Sequence, residues 1–321
     1  MGKLPLAICV QLTPPAHTVR MLIIGHRGAP AHRPEHTASS YLRAIRDGAD
    51  LLEPDVVPTR DGVLLVRHET RLDDSTDIAS HPQFAARRRS AGDRLAGWHS
   101  DDFDWHELQQ LRAVERIPRL RPESDRFSGT EPLLRLRDLV MLVAGSDCGL
   151  VIELKQDALM RASGFDYADL LEHELDGLWD HPALHGVRFE SFELPVLARM
   201  QQASWFARLR DAKLVALIEC GELVRPGEEG PQRCTDTGLD EAARLVDGIS
   251  VRTTLLDASL VERAHTRGLE VLTYTLRGED VFLPDRFAGR AGDYWRQLCA
   301  TGVDAVFADD PAAVRAALAE S

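Results

Sequence analysis

Met21-Leu22-Ile23-Ile24-Gly25-His26-Arg27-Gly28 opens the stretch that decides how this chain is read. Pro34-Glu35-His36-Thr37, Leu51-Leu52-Glu53-Pro54-Asp55-Val56-Val57 and Val63-Leu64-Leu65-Val66-Arg67-His68 complete it. Its apolar runs end in charged or imidazole side chains, and strand ends are where barrels and open α/β sheets place their active sites. Glu53 and Asp55 sit two apart on an expected strand, so both point to one face. Paired carboxylates repel unless a cation lies between them. Such hard oxygen ligands suit one divalent cation, Mg2+ or Ca2+, with Mn2+ as an alternative.

A later run, Gly149-Leu150-Val151-Ile152-Glu153-Leu154-Lys155, repeats the pattern. It offers Glu153 as a third metal ligand and Lys155 as a phosphate contact on the same face. His26 and His68 are the candidate acid and base. Arg27 suits a phosphate because its planar fork matches two oxygens, and Gly28 permits close backbone approach to a ligand. Glu35 reads equally well as a site residue or as an acid favouring the first turn of the next helix. Thr37 reads as a helix cap. Arg87-Arg88-Arg89 reads as a solvated run rather than a lipid-binding patch, and Trp98 and Trp105 read as packing residues of the insertion, with substrate contact by one of them as the alternative. His81, His99, His106, His173, His181 and His185 lack ligand spacing and read as surface or core.

Short apolar runs alternate with amphipathic stretches, the signature of a parallel sheet with helices outside. Strands are expected at 21–25, 51–57, 63–67, 149–154, 187–191, 213–218, 248–251, 270–275 and 304–307. Helices are expected at 38–48, 105–114, 133–145, 166–179, 193–203, 239–246, 257–267, 290–301 and 310–320. The strands exceed the places of an eight-stranded barrel by one. The gap from Val57 to Val63 is too short for a parallel crossover, which needs roughly a dozen residues. One of the two flanking runs is therefore expected to be an extension or an irregular arm carrying His68 to the mouth. The fold expected is a (β/α)8 TIM barrel spanning 21–321 as a single domain, with 70–132 as an insertion after the third strand. Residues 1–20 read as a flexible leader, too weakly patterned for a secretory signal.

The chain has 321 residues, 44% hydrophobic and 28% charged, which is ordinary for a globular protein. A net charge of -13 disfavours nucleic acid and anionic membrane surfaces as partners. Cys9, Cys148, Cys220, Cys234 and Cys299 are irregularly spaced with no Cys-x-x-Cys, which points to a reducing, cytoplasmic setting. No run approaches the roughly 18 apolar residues of a membrane span.

Taken jointly, the motifs resemble the glycerophosphodiester phosphodiesterase family. They are His26-Arg27-Gly28, Pro34-Glu35-His36-Thr37, Glu53-Pro54-Asp55-Val56, Thr59-Arg60-Asp61-Gly62, His68 and Glu153-Leu154-Lys155. Ser191-Phe192, Tyr274-Thr275 and the closing Gly302 to Pro311 run extend the resemblance over roughly 21–316. It implies a TIM barrel of the PI-phospholipase C-like phosphodiesterase type, with the insertion capping its mouth. It also implies metal-dependent hydrolysis of a small-molecule glycerophosphodiester to glycerol 3-phosphate and an alcohol. His26 and His68 would be the acid/base pair, and the glycerol 2-hydroxyl would attack first to give a cyclic phosphate that water then opens. Glu35, Glu69 and Tyr274 would support the site. Three positions depart from the family pattern: His36 for Asn, Glu69 for Asp and Tyr274-Thr275-Leu276-Arg277 for Trp-Thr-Val-Asn. The first two are expected to retune hydrogen bonds around the metal or His68, and the last to alter the rim beside the substrate alcohol. The rival readings are a lysophospholipase D or sphingomyelinase D on the same scaffold, a non-catalytic phosphodiester-binding homologue, and an aldolase using Lys155.

Overall fold

The computed structural model describes residues 20–90, 96–219 and 231–319. The expected leader, except for Arg20, lies outside the described residues. The strands are β1 (Leu22–His26), β2 (Leu51–Glu53), β3 (Asp55–Pro58), β4 (Leu64–Val66) and β5 (Gly149–Leu154). They continue as β6 (Arg188–Ser191), β7 (Lys213–Ile218), β8 (Gly248–Arg252), β9 (Glu270–Leu276) and β10 (Ala305–Ala308). β1 pairs with β2 and β10, and β2 pairs with β5. That closes β1, β2 and β5 to β10 into a parallel barrel of eight strands.

The supernumerary strand resolves as an arm. Pro54 has no amide hydrogen and interrupts the ladder. Its carbonyl still accepts from Glu153 N at 2.9 Å, and β3 continues beside β5 with Asp55 opposite Glu153. β4 then folds back antiparallel on β3, with Val57 opposite Leu65. Thr59-Arg60-Asp61-Gly62 makes the turn. The Thr59 hydroxyl donates to Asp61 Oδ1 at 2.6 Å and accepts from Val63 N at 3.0 Å, while Gly62 takes φ +81°. A hairpin turn thus replaces the crossover that the short connection excludes, and His68 follows directly from the arm.

Strand periodicity sorts side chains into two apolar layers. Ile23, Leu52, Ile152, Phe189 and Ile249 join the large core between strands and helices. Ile24, Leu51, Val151, Val215, Leu272 and Phe307 fill the barrel interior. Continuing the inward parity by two residues gives His26 after Ile24, Glu53 after Leu51, Glu153 after Val151 and Asp309 after Phe307. Apolar residues therefore floor the barrel, and charged residues of the same parity form its mouth.

The helix expected over 38–48 spans Ala38–Arg46 and is capped by Thr37, whose hydroxyl oxygen accepts from Ser40 N at 3.2 Å. The helix expected over 105–114 is only Trp105–Leu108. Asp104 and Glu107 start it with a capping box. Leu111 and Ala113 then leave helical geometry to enter a second apolar cluster with Val57, Leu65, Leu72, Ile78, Phe84 and Phe103. Trp98 and Trp105 pack against that cluster. The insertion thus has a small core of its own, seated on the outer face of the β3–β4 arm. Arg87-Arg88-Arg89 is not simply solvated. Arg87 reaches Glu107 at 2.7 Å, and Arg89 pairs with Asp101 at 3.0 Å and Asp102 at 2.9 Å. Those acids come from later in the insertion, so sequence distance concealed the pairing.

Gly28 shows how tightly the first loop meets the first helix. Its φ is +94°, and an added Cβ would lie 2.6 Å from the Ser40 backbone carbon. Gly28→Ala is expected to destabilise the protein by roughly 3 kcal/mol through strain and overpacking. Urea denaturation checks this, and an unchanged midpoint would contradict the close approach.

Candidate active site

His26, Arg27, Glu35, Glu53, His68, Glu69, Glu153, Lys155 and Tyr274 all line one cavity of about 1180 Å3 at the barrel mouth. Asp55 lies just beneath its surface, fully buried. Every residue singled out for the site is thus brought to one place.

The carboxylates form its base. Glu53, Asp55 and Glu153 each offer an oxygen within 4.8 Å of the others, and all three are buried. Glu190, on the strand next to Glu153 and in register with it, is also buried, and its Oε2 has no hydrogen-bond partner. Burial and Asp55 push Glu53 well above the usual carboxylate range, and burial lifts Glu153 to about 8. Burial acts on Asp55 in the same direction, but Lys155, His68 and Arg27 more than offset it and hold it low. A dense, desolvated set of oxygens of this kind fits a divalent cation, which would replace the protons as counter-charge.

The cations interleave with these acids. Lys155 Nζ lies 2.5 Å from Glu153 and 2.9 Å from Asp55. Arg27 takes a left-handed backbone, φ +56°, and its amide donates to Glu53 Oε2 at 2.9 Å. Its guanidinium lies 3.0 Å from Glu35 and 3.2 Å from Asp55. Glu35 is therefore a buried partner of Arg27 and not merely a helix-start acid. Non-glycine residues at positive φ are uncommon, and strain of this sort gathers at functional sites. His36, φ +61°, bonds Asp55 beneath the cavity, and Gln156, φ +53°, lines it.

Each candidate acid/base histidine has a carboxylate on Nδ1. For His26 it is Asp309 at 2.5 Å, and for His68 it is Glu69 at 2.6 Å. An imidazole that donates from Nδ1 leaves Nε2 for substrate. Burial pushes His26 down to about 4 despite Asp309, and burial with Arg27 and Lys155 pushes His68 down to about 3. His36 Nε2 bonds Asp55 Oδ2 at 2.9 Å and its Nδ1 bonds the Tyr41 hydroxyl at 2.8 Å, so the residue at this departure is a direct partner of the carboxylate cluster. Tyr274 turns its hydroxyl away to donate to the Ile218 carbonyl at 2.9 Å, so it contributes a ring face to the wall.

Sequence reading assigned no role to Asp309, Glu190, Arg116 or Arg121. The first two had a signal, since both lie on the inward parity at a strand end. The arginines lie in the aperiodic insertion, where no pattern marks them.

With this geometry the comparisons with known proteins agree. The model of the glycerophosphoryl diester phosphodiesterase family matches residues 26–313. The chain belongs to the glycerophosphodiester phosphodiesterase family. It is 29% identical to a glycerophosphodiester phosphodiesterase of Arabidopsis thaliana, over 92% of this chain and 85% of the relative. A Silicibacter pomeroyi protein, described as a glycerophosphoryl diester phosphodiesterase, matches with a TM-score of 0.73 at 22% identity, covering 95% of each chain. An Oleispira antarctica phosphodiesterase, solved with its product sn-glycerol-3-phosphate, matches at 0.67 and 19% identity, covering 93% of this chain and 96% of that one. At these identities the structural likeness is one of fold. Among the described residues no helix is long and apolar enough to cross a membrane.

The Glu153 pKa yields a pH prediction for this phosphodiesterase-family chain. Its folded value, about 8, lies above the ordinary 4.5 of an exposed glutamate. The buried proton's stabilisation is therefore fully present below 4.5 and lost as pH rises through about 8. A cation that takes the proton's place reverses the loss. Added Ca2+ or Mg2+ is expected to raise Tm more at about pH 8.5 than at about pH 6. Thermal unfolding at both pH values, with and without the ion, checks this. Equal shifts would contradict a cation bound at these carboxylates.

Proposed function

We propose that this protein hydrolyses glycerophosphodiesters to glycerol 3-phosphate and an alcohol, with one divalent cation held by Glu53, Asp55 and Glu153. The observation that carries the reading is that one cavity is lined by two carboxylate-backed histidines, Arg27 and Lys155 and contains a buried carboxylate triad at its base. Bound at the triad, a divalent ion supplies Lewis-acid polarisation of the phosphodiester. The other steps belong to side chains. Arg27 and Lys155 stabilise charge that grows on the phosphoryl oxygens. One histidine accepts the proton of the attacking hydroxyl at Nε2. The other delivers a proton from Nε2 to the departing alcohol, which leaves a cyclic phosphate that water then opens with the two proton-transfer roles exchanged. Asp309 and Glu69 favour the imidazolium that each transfer creates or consumes.

One observation supports a second reading. Val281 and Phe282 are 67% and 38% exposed at the cavity rim, beside Leu283 and Pro284. That apolar lip suits the chain of a lysophospholipid, the substrate of a lysophospholipase D on this scaffold.

The test is glycerol 3-phosphate release from glycerophosphocholine and glycerophosphoethanolamine after EDTA treatment, with Mg2+, Ca2+ or Mn2+ restored. Release that returns with an ion is expected. Turnover of lysophosphatidylcholine alone would select the second reading, and binding without turnover would mark a non-catalytic homologue. His26→Ala and His68→Ala are each expected to lose about 10²- to 10⁴-fold in kcat with the fold intact. Glu53→Ala is expected to lose the ion as well as activity, and calorimetry showing unchanged ion affinity would remove Glu53 from the ligand set.

A further inference from the structure

The two carboxylates that back the histidines are themselves held by one short piece of the insertion. Arg116 Nη2 donates to Glu69 Oε1 at 2.7 Å, and Arg116 Nη1 donates to Glu35 Oε1 at 3.3 Å. Five residues later, Arg121 Nη2 bonds Asp309 Oδ2, and Arg121 Nε bonds Glu279 Oε1 at 2.6 Å. Arg121 is buried. The segment between them is braced from within. Glu115 Oε1 accepts from Ile117 N at 2.9 Å, Glu115 N donates to Ser128 Oγ at 2.9 Å, and Ser124 Oγ donates to Glu115 Oε2 at 2.5 Å. Arg33, from the first barrel loop, lies 3.7 Å above the Phe127 ring and ties that brace to the barrel.

We propose that residues 115–121 form a two-pronged clamp in which Arg116 and Arg121 are positioning residues for the acid/base pair. Arg116 acts through Glu69 on His68, and Arg121 acts through Asp309 on His26. The chemistry follows from geometry. Each guanidinium bridges its carboxylate to a second acid and so holds it in place, which keeps Nδ1 of the histidine protonated and aims Nε2 at the phosphodiester; the base reacts as the neutral Nδ1–H tautomer, and the acid reacts as the imidazolium, with its second proton on Nε2. During transfer, the bond from the attacking oxygen to phosphorus forms as its proton passes to one Nε2. The bond from phosphorus to the leaving oxygen breaks as that oxygen takes the proton of the other Nε2. Both rings must be aligned at once, and a single rigid segment aligns them together. The insertion therefore assembles the catalytic pair as well as covering the mouth.

The inference rests on the phosphodiesterase reading, and leaving-group chemistry separates the two. A choline alkoxide needs a proton to depart, whereas p-nitrophenolate does not. Arg116→Gln and Arg121→Gln are compared with wild type, each loaded with Mg2+, Ca2+ or Mn2+ as activity requires, on glycerophosphocholine and on the glycerol p-nitrophenyl phosphodiester. Both variants are expected to lose about 10- to 100-fold in kcat on the choline ester, the scale of a misplaced catalytic group. Arg277, 3.0 Å from Asp309, places the Arg121 loss at the lower end. The variant serving the acid keeps near wild-type rate on the aryl ester, and the one serving the base loses on both esters. In 15N spectra, the affected histidine is expected to change from the Nδ1–H tautomer to a mixture.

Wild-type rates for both variants, or equal losses on both esters in both variants with unchanged tautomers, would overturn the clamp while leaving the phosphodiesterase reading intact. A wild-type protein inactive on both esters would overturn both. Should a glutamine variant fail to fold, Arg116→Lys or Arg121→Lys keeps the charge. Each is expected to show the same ester pattern, because one ammonium cannot reproduce a fork that bridges two acceptors. Lysine variants at wild-type rate would overturn the proposal.

Discussion

Packing like-charged carboxylates out of water at the barrel mouth is the constraint around which the other side chains are arranged. An ionised carboxylate buried alone costs far more than a fold can supply, so each must find a proton, a cation or several donors. Asp55 meets Lys155, Arg27 and His36, and it stays ionised. Glu53 and Glu153 lack enough of such partners and are pushed toward the protonated form. That imbalance suits a divalent ion, because one ion could satisfy oxygens that single-charge side chains cannot all reach. The left-handed turn at Arg27 serves the same end by putting both an amide and a guanidinium among the acids.

Apolar layers hold this unfavourable charge in place. Each fully buried aliphatic side chain contributes roughly 1.5–3 kcal/mol, and the barrel floor and outer shell contain many of them. The insertion draws on a smaller cluster built on Val57 and Leu65 of the arm. The arm therefore has two tasks, anchoring the insertion by one face and delivering His68 from its end. Ion pairs such as Arg87 with Glu107 fix the outer layer of the insertion, where exposure limits each to about 1 kcal/mol or less. Its inner edge carries a half-buried pair at Glu69 and a buried one at Asp309, where lower dielectric makes geometry matter more.

The three departures from the family pattern have local physical readings. The His36 ring spans Asp55 and the Tyr41 hydroxyl at once and is wholly buried. Glu69 uses its extra methylene and still reaches both His68 and Arg116. Arg277 lies over the Phe282 ring at 4.6 Å and near Asp309, so it joins the apolar rim to the His26 partner. None of the three removes a histidine–carboxylate pair or a member of the acidic triad.

What the sequence determined by itself was the set of elements and the faces of the strands. Strand parity is local, so the spacing from Leu51 to Glu53 and from Val151 to Glu153 settles which side chains share the mouth. The short link from Val57 to Val63 likewise excluded a parallel crossover and required an arm. Tertiary structure alone decided the partners. Asp309 meets His26 across 283 positions, because barrel closure pairs β1 with β10. Arg121 meets Asp309 across 188 positions, because the insertion folds back over the mouth along a path with no periodic signal. Parity states where a side chain points, but what it meets there depends on how the chain closes on itself.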